Sequence, residues 1–165
     1  MYKIQSPLEI VVAHSKKKDK DVKFILNTNQ YRNFHFRLLN TAKIRYKELI
    51  AEQLKDKPVY NKVMIVYKVH KGDKRRHDIG NILAIHQKFF EDAMVELGHL
   101  PDDNSKNIPF VVYTSGSIEV DNPRVDIFVY DMDNRSDMSQ FKKVVLKEII
   151  KKVVLKEVIK KLENK

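Results

Sequence analysis

The sequence predicts an α+β domain in which a mixed or antiparallel sheet of about four to five strands packs against two main helices, with a basic C-terminal helix appended. Three observations predict it. Val59, Val63, Ile65, Tyr67 and Val69 share one parity, the period of a strand with a well-buried face. Two windows, Leu38–Leu54 and Ile79–Leu97, space their apolar residues by three and four, as amphipathic helices do. The stretch from Phe141 to Lys165 has a helical composition and carries nine Lys against three Glu.

Taken in order, Leu8–Ala13 and Val22–Leu26 are short β-rich runs separated by the lysine-heavy SKKKDKD, and together they suggest a hairpin. Asn27–Asn33 has turn chemistry. The first helix buries Leu38, Leu39, Ala42, Tyr46, Leu49, Ile50 and Leu54, shows Lys43, Arg45, Lys47 and Glu48 on its polar side, and ends at Pro58. Val59–His70 is the long strand. The charged loop KGDKRRHD leads from it into the second helix, which Gly98 and Pro101 stop. Two strands, Pro109–Tyr113 and Arg124–Tyr130, follow across a Ser/Gly/Asn turn. Residues 1–135 are expected to form the folded unit and 136–165 a helical tail. That tail holds a tandem repeat, KKVVLKEII at 142–150 followed by KKVVLKEVI at 151–159. Nine residues rotate a helix by about two and a half turns, so the second copy turns its apolar face opposite the first. A continuous helix can then bury only one copy against its own domain.

With 165 residues and 42% hydrophobic content, the chain is long enough for one domain with a real core. No apolar run approaches the roughly 20 residues that span a bilayer. MYKIQSPLEIVV lacks the basic leader, apolar core and cleavage site of a signal peptide. There are no cysteines, hence no disulfides and no thiolate metal site. A cytoplasmic protein without a membrane role is expected. The net charge of +10 and pI near 9.6 favour a polyanionic partner. Residues 141–165 supply +6 of that charge and the other residues +4, so the body is only mildly basic.

The chemistry-bearing segment is KRRHDIGNILAIHQKFFEDAMVELGHLPDDNS, from Lys74 to Ser105. On a helix beginning near Asp78, the residues Asp78, Asn81, Ile85, Lys88 and Asp92 fall within an arc of about 80°. Four of those five positions are polar or charged, while Ile82, Phe89, Ala93 and Leu97, with Ile79 and Phe90 nearby, supply a core-facing side. Carboxylates beside a lysine suit metal-assisted phosphodiester hydrolysis. Mg²⁺ takes oxygen ligands, and an ammonium stabilises charge growing on phosphoryl oxygens. Lys74, Arg75, Arg76 and His77 precede the stripe and are placed to hold flanking phosphates. Each feature also has an ordinary structural explanation. Asp78 is a good N-cap, Pro101-Asp102-Asp103-Asn104 is turn chemistry, and Lys88 with Asp92 is an i,i+4 ion pair.

The combination Asp78-x-x-Asn81, then Lys88-Phe89-Phe90-x-Asp92-Ala93-x-Val95-x-Leu97-Gly98, then Asp102-Asp103-Asn104 resembles the signature of RusA-type Holliday junction resolvases. The upstream order of strand, Asn-rich turn, basic helix and long strand is similar too. The likeness runs over most of Leu8 to Tyr130 and is specific over the segment just quoted. It implies a dimeric endonuclease that cuts four-way DNA junctions with Mg²⁺, Mn²⁺ being able to substitute, in a bacterial or phage-infected cell. It also implies metal ligation by Asp78 and Asp103 with Lys88 assisting. Gly80 stands where many members carry a second Asp, so Asn81, Asp92 or Asp102 is a candidate replacement. The segment from Asp78 to Lys88 is about one helical turn longer than in the shorter bacterial versions, which preserves the facing of the stripe.

The expected catalytic residues are therefore Asp78, Lys88 and Asp103, the expected metal ligands Asp78, Asp92, Asp102 and Asp103, and Asn81 a supporting group. Lys43, Arg45 and Lys47 on the first helix, with Lys74, Arg75 and Arg76, are the expected DNA contacts. Asp78 and Asp92 lie about 21 Å apart along a helix and cannot share one ion. Asp78 can meet Asp103 either across a two-fold axis between two chains, or within one chain if the helix kinks or the following loop folds back. Two readings compete with a nuclease. One is a non-catalytic DNA-binding or scaffolding protein on the same fold, and the other is a protein-interaction module built on the duplicated tail. His86 points off the stripe and is expected to be peripheral. His14, His35, His70 and His99 show no ligand spacing and are expected at the surface or partly packed.

Overall fold

The computed structural model describes every residue except 18, 77, 164 and 165, and the side chains up to residue 151. Its elements run β1 (Tyr2–Pro7), β2 (Glu9–Ser15), β3 (Lys20–Ile25), α1 (Thr28–Asn33), α2 (Phe36–Leu54), β4 (Val63–Lys71), α3 (Ile79–Glu96), β5 (Phe110–Ile118), β6 (Arg124–Asp131) and α4 (Arg135–Glu163). Four strands form a mixed sheet in the order β1-β6-β4-β5, and β2 pairs with β3 in a separate hairpin. β6 is antiparallel to both β1 and β4, whereas β5 runs parallel to β4. The expected α+β class and the expected hairpin are both present.

The sheet has two covered faces. On one, Val63, Ile65, Tyr67 and Val69 of β4 join Ile4, Val125, Ile127 and Val129 in a core closed by α2, α3 and the hairpin. On the other, Met64, Val66 and Tyr130 pack against Phe141 of α4, with Val144 and Val145 partly buried beside them. β4 was expected to bury one face strongly. It buries both, because the N-terminal half of the basic tail lies on the sheet. Val59 precedes the strand and is exposed, since the backbone enters regular pairing only at Val63.

Two local elements depart from expectation. β1 is a strand that the sequence pattern did not single out. Its inward positions are Tyr2, Ile4 and Ser6, so a polar residue interrupts an already short apolar alternation. The Asn27–Asn33 segment, expected as a turn, closes into the short helix α1, with the Asn27 side chain capping it by accepting from the Gln30 N–H at 2.8 Å. The second main helix ends as expected. Gly98 adopts φ +74°, and the Gly98 and His99 N–H groups bond back to the Val95 and Met94 carbonyls.

His86, expected off the polar stripe, and His70, expected at the surface or partly packed, are both buried. His86 lies wholly inside α3's inner face, its Nδ1 2.7 Å from the Ser6 hydroxyl on β1. Burial pushes its pKa down from 6.5 to about 3. His70, at the end of β4, sits with Nδ1 3.1 Å from Ser117 Oγ and Nε2 3.3 Å from Asp126 Oδ2. A Cβ on Gly116 would lie 2.4 Å from the His70 ring, so any larger residue where β5 passes would push that buried ring aside. Burial alone would raise the Asp126 pKa, but hydrogen bonds from Lys3 and Arg124 outweigh it and hold the carboxyl below its usual range.

α4 is continuous through both copies of the repeat. Within the first copy, Val144 and Val145 face the sheet while Leu146, Ile149 and Ile150 face outward. The copy at 151–159 has its side chains outside the described set beyond Lys151.

Phe141→Ala removes the ring that stacks edge-on against Tyr130, and should cost about 3 kcal/mol in urea unfolding. A separate expectation concerns acid. His86 is neutral in the fold and ionises freely once unfolded, so the unfolded state binds the extra proton. Stability should therefore fall as the pH drops from about 6.5 towards 3. His86→Gln should flatten that part of the stability–pH curve.

Candidate active site and nucleic-acid surface

Because β5 is parallel to β4, the chain must cross over between them, and α3 with its flanking loops is that crossover. The crossover separates the expected site residues into two groups, one at each end of α3.

At the N-terminus, Asp78 is the N-cap. Its Oδ1 accepts from the Gly80 N–H at 2.9 Å and, more weakly, from the Asn81 N–H at 3.4 Å. Its Oδ2 accepts from Asn81 Nδ2 at 3.0 Å, and Asn81 Oδ1 in turn accepts from the Thr28 hydroxyl at 2.6 Å. A helix N-terminus favours this negative charge. Asn81 thus holds the Asp78 carboxylate in place at the start of the helix. The neighbouring Lys74, Arg75 and Arg76 are exposed in the loop after β4, which the Lys71 ammonium ties down by donating to the Arg75 carbonyl at 2.7 Å. Arg75 Nε lies 3.3 Å from Asp73. His77 lies outside the described residues.

Farther along the helix, the 101–108 loop folds back so that Asp103 faces α3 rather than extending beyond it. Asp103 lines a pocket of about 260 Å³ with Ala84, Gln87, Lys88, Glu91 and Asp92. Lys88 Nζ stands 3.3 Å from Asp92 Oδ2. Asp102 does not join them. Its Oδ1 accepts the Asp103 N–H at 2.8 Å and its Oδ2 the Asn104 amide at 2.5 Å, the geometry of a turn. The four carboxylates expected as metal ligands fall in three places. Asp92 and Asp103 share a pocket, Asp102 holds its loop, and Asp78 caps the far end of α3. The physical reason is the straight helix between them.

Glu91 is the residue that the stripe missed. It is 6% exposed, with Oε1 accepting from the Tyr67 hydroxyl at 3.3 Å and Oε2 from Gln87 Nε2 at 3.1 Å. Gln87 also accepts a hydrogen bond from Tyr113. Burial raises the Glu91 pKa to about 7, and the charges of Asp103 and Asp92 add to the rise, against the lowering effect of its two hydrogen bonds. A signal for it was present. Ala84, Gln87 and Glu91 recur at 3/4 spacing as a small and polar column beside the charged stripe. Ile85, which periodicity put on that stripe, is buried.

The basic helix also divides. Lys43 and Lys47 line a cleft of about 290 Å³ with Phe89, Asp92 and Glu96. Lys47 Nζ is 2.5 Å from Glu96 Oε2, and Lys43 Nζ is 5.9 Å from the Phe89 ring centroid. Arg45, half a turn round α2, donates to the Val11 carbonyl and lines a different groove with Leu49 and Arg124. Its grouping with Lys43 and Lys47 as one DNA-contact row does not hold, because positions two apart on a helix point to opposite sides. Asp92 borders both the lysine cleft and the Asp103 pocket.

Mg²⁺ commonly uses one or two carboxylates and completes its shell with water and substrate phosphate. Asp103 and Asp92 provide oxygen donors of that kind. Among the described residues, no three His, Asp or Glu side chains gather closely enough to hold a metal by themselves. Also among the described residues, no helix is long and apolar enough to cross a membrane. No protein-family model matches the chain, and no curated protein matches it.

Glu91 provides a pH test. Its folded pKa lies above the unfolded value of 4.5, so the native state binds the extra proton between pH 4.5 and about 7. Stability is greatest below that window and falls as the pH rises through it. Glu91→Gln should remove the fall and raise stability at pH 8 by roughly 2–3 kcal/mol, measured by chemical unfolding across pH.

Proposed function

We propose that this protein is a Mg²⁺-dependent endonuclease of the RusA type. It acts as a homodimer and resolves four-way DNA junctions by paired phosphodiester hydrolysis, with Mn²⁺ able to substitute. The observation that carries this reading is the junction of two chemistries at Asp92. On one side lies a cleft with Lys43 and Lys47, and on the other a pocket with Lys88, Glu91 and Asp103. Ammonium groups that hold phosphates thus border carboxylates suited to a divalent cation.

In this mechanism Lys43 and Lys47 bind the backbone of one DNA arm, and the exposed Lys74, Arg75 and Arg76 bind another. These contacts carry no base information and weaken with salt. Asp103 and Asp92 are the residues that would hold Mg²⁺ in the pocket. When bound, the ion supplies activation of the attacking water and neutralisation of phosphate charge. Lys88 stabilises negative charge growing on the phosphoryl oxygens. Glu91, poised near neutrality, exchanges a proton at Oε1 or Oε2 with water entering the pocket. Asp78 positions the start of α3 and the basic loop through its cap.

A second reading has its own support. Both Asp78 oxygens already accept hydrogen bonds, Oδ1 from the helix N–H groups and Oδ2 from the Asn81 amide, and Gly80 supplies no carboxylate, as fits a non-catalytic junction-binding protein on the same fold.

Cleavage of a synthetic four-way junction and its matched linear duplex, with Mg²⁺ or with EDTA, separates the two. The nuclease reading expects paired nicks in the junction only, lost with EDTA. Asp103→Asn and Lys88→Ala should each slow cleavage about 10²–10³-fold with junction binding retained. Tight, salt-sensitive junction binding without cleavage in either metal would establish the second reading.

A further inference from the structure

The outward side of α4 carries an apolar stripe that the fold leaves uncovered. Leu146, Ile149 and Ile150 are 57%, 52% and 53% exposed, at the 3/1 spacing of one helix face. Lys142, Lys143, Lys147 and Lys151, all exposed, surround it. The stripe runs into a groove of about 430 Å³ between α4 and the turn after β6. Met132, Met138 and Leu146 provide the apolar part of the groove. Arg135, Lys142 and Lys143 stand on its edge with, among the described residues, one acid, Asp133. Isolated exposed apolar residues need no explanation, but a contiguous set with a polar rim marks an interaction surface.

Charge and shape select the occupant. A second copy of α4 would bring lysines against lysines, which opposes self-pairing. A bilayer takes up projecting side chains and does not fill a groove set between a helix and a turn. An acidic amphipathic helix satisfies both features, since its apolar side chains enter a methionine-lined groove that adapts to them while its carboxylates meet the lysine rim. We propose that α4 and the turn after β6 form a docking surface for an acidic amphipathic helix of a partner protein, centred on Leu146, Ile149 and Ile150. The surface lies on the sheet face opposite α3, so docking is independent of the Asp103 pocket.

The test uses the full chain and a synthetic helical peptide with Leu at i, i+3, i+4 and i+7 positions and Glu elsewhere, followed by fluorescence anisotropy. The expected result is a dissociation constant of order 10 µM. Leu146→Gln with Ile150→Gln should weaken binding at least about tenfold while leaving thermal unfolding unchanged, because both side chains are already exposed. Three results would overturn the proposal. One is equal binding of a scrambled peptide of the same composition, which would mean charge alone. Another is stripe-dependent binding to phosphatidylglycerol vesicles in place of the peptide, which would mean a membrane surface. The third is the absence of peptide binding, whether or not the variants change sedimentation of the chain by itself. Junction cleavage by the same double variant should equal that of the wild type, so failure here and failure of the nuclease reading are told apart.

Discussion

Pairing β5 parallel to β4 is the constraint on which the rest of this structure depends. A parallel neighbour cannot be reached by a tight turn, so the chain must leave the end of β4, travel back along the sheet and re-enter at the start of β5. α3 makes that journey. Its inner face must therefore be apolar enough to bury against both the sheet and α2, and Leu83, Phe90, Ala93 and Met94 meet that requirement. What remains of its circumference is available for chemistry, and Lys88, Asp92 and the cap Asp78 occupy it.

The same crossover sets the electrostatics of the pocket. Glu91 lies at the boundary between the buried face and the exposed stripe, near enough to the core to be desolvated and near enough to Asp92 and Asp103 to feel their charge. Tyr67 and Gln87 hydrogen-bond it from the sheet side and from its own helix, and Tyr113 anchors Gln87 in turn. A carboxyl held in this way by its surroundings is poised between its charged and neutral forms.

On the opposite face, α4 has a double role. Phe141, Val144 and Val145 close the second side of β4 and β6, and the next turn of the same helix directs Leu146, Ile149 and Ile150 away from the protein. The two valines and the outward Leu146, Ile149 and Ile150 all belong to the first copy of the repeat, so that one copy both covers the sheet and presents the outward stripe.

The sequence by itself determined the periodicities. The alternation of β4, the 3/4 spacing of α2 and α3, the stop at Gly98 and the turn chemistry of Asp102–Asn104 are local matters of backbone geometry and side-chain spacing, and they are legible in the residues. β1 and α1 were not, because a buried Ser6 and a polar Asn27 cap give no apolar period to read. Only the tertiary structure decided which residues meet. Periodicity placed Asp78 and Asp92 on one stripe. The fold-back of the 101–108 loop selected Asp92 to share a pocket with Asp103, and packing against Tyr67 brought Glu91 into it. His86 and Ile85 went to the core because the sheet and α2 together cover more of α3 than one apolar face requires. Contacts of this kind depend on elements distant in the chain, whereas helical and strand periods depend only on neighbours.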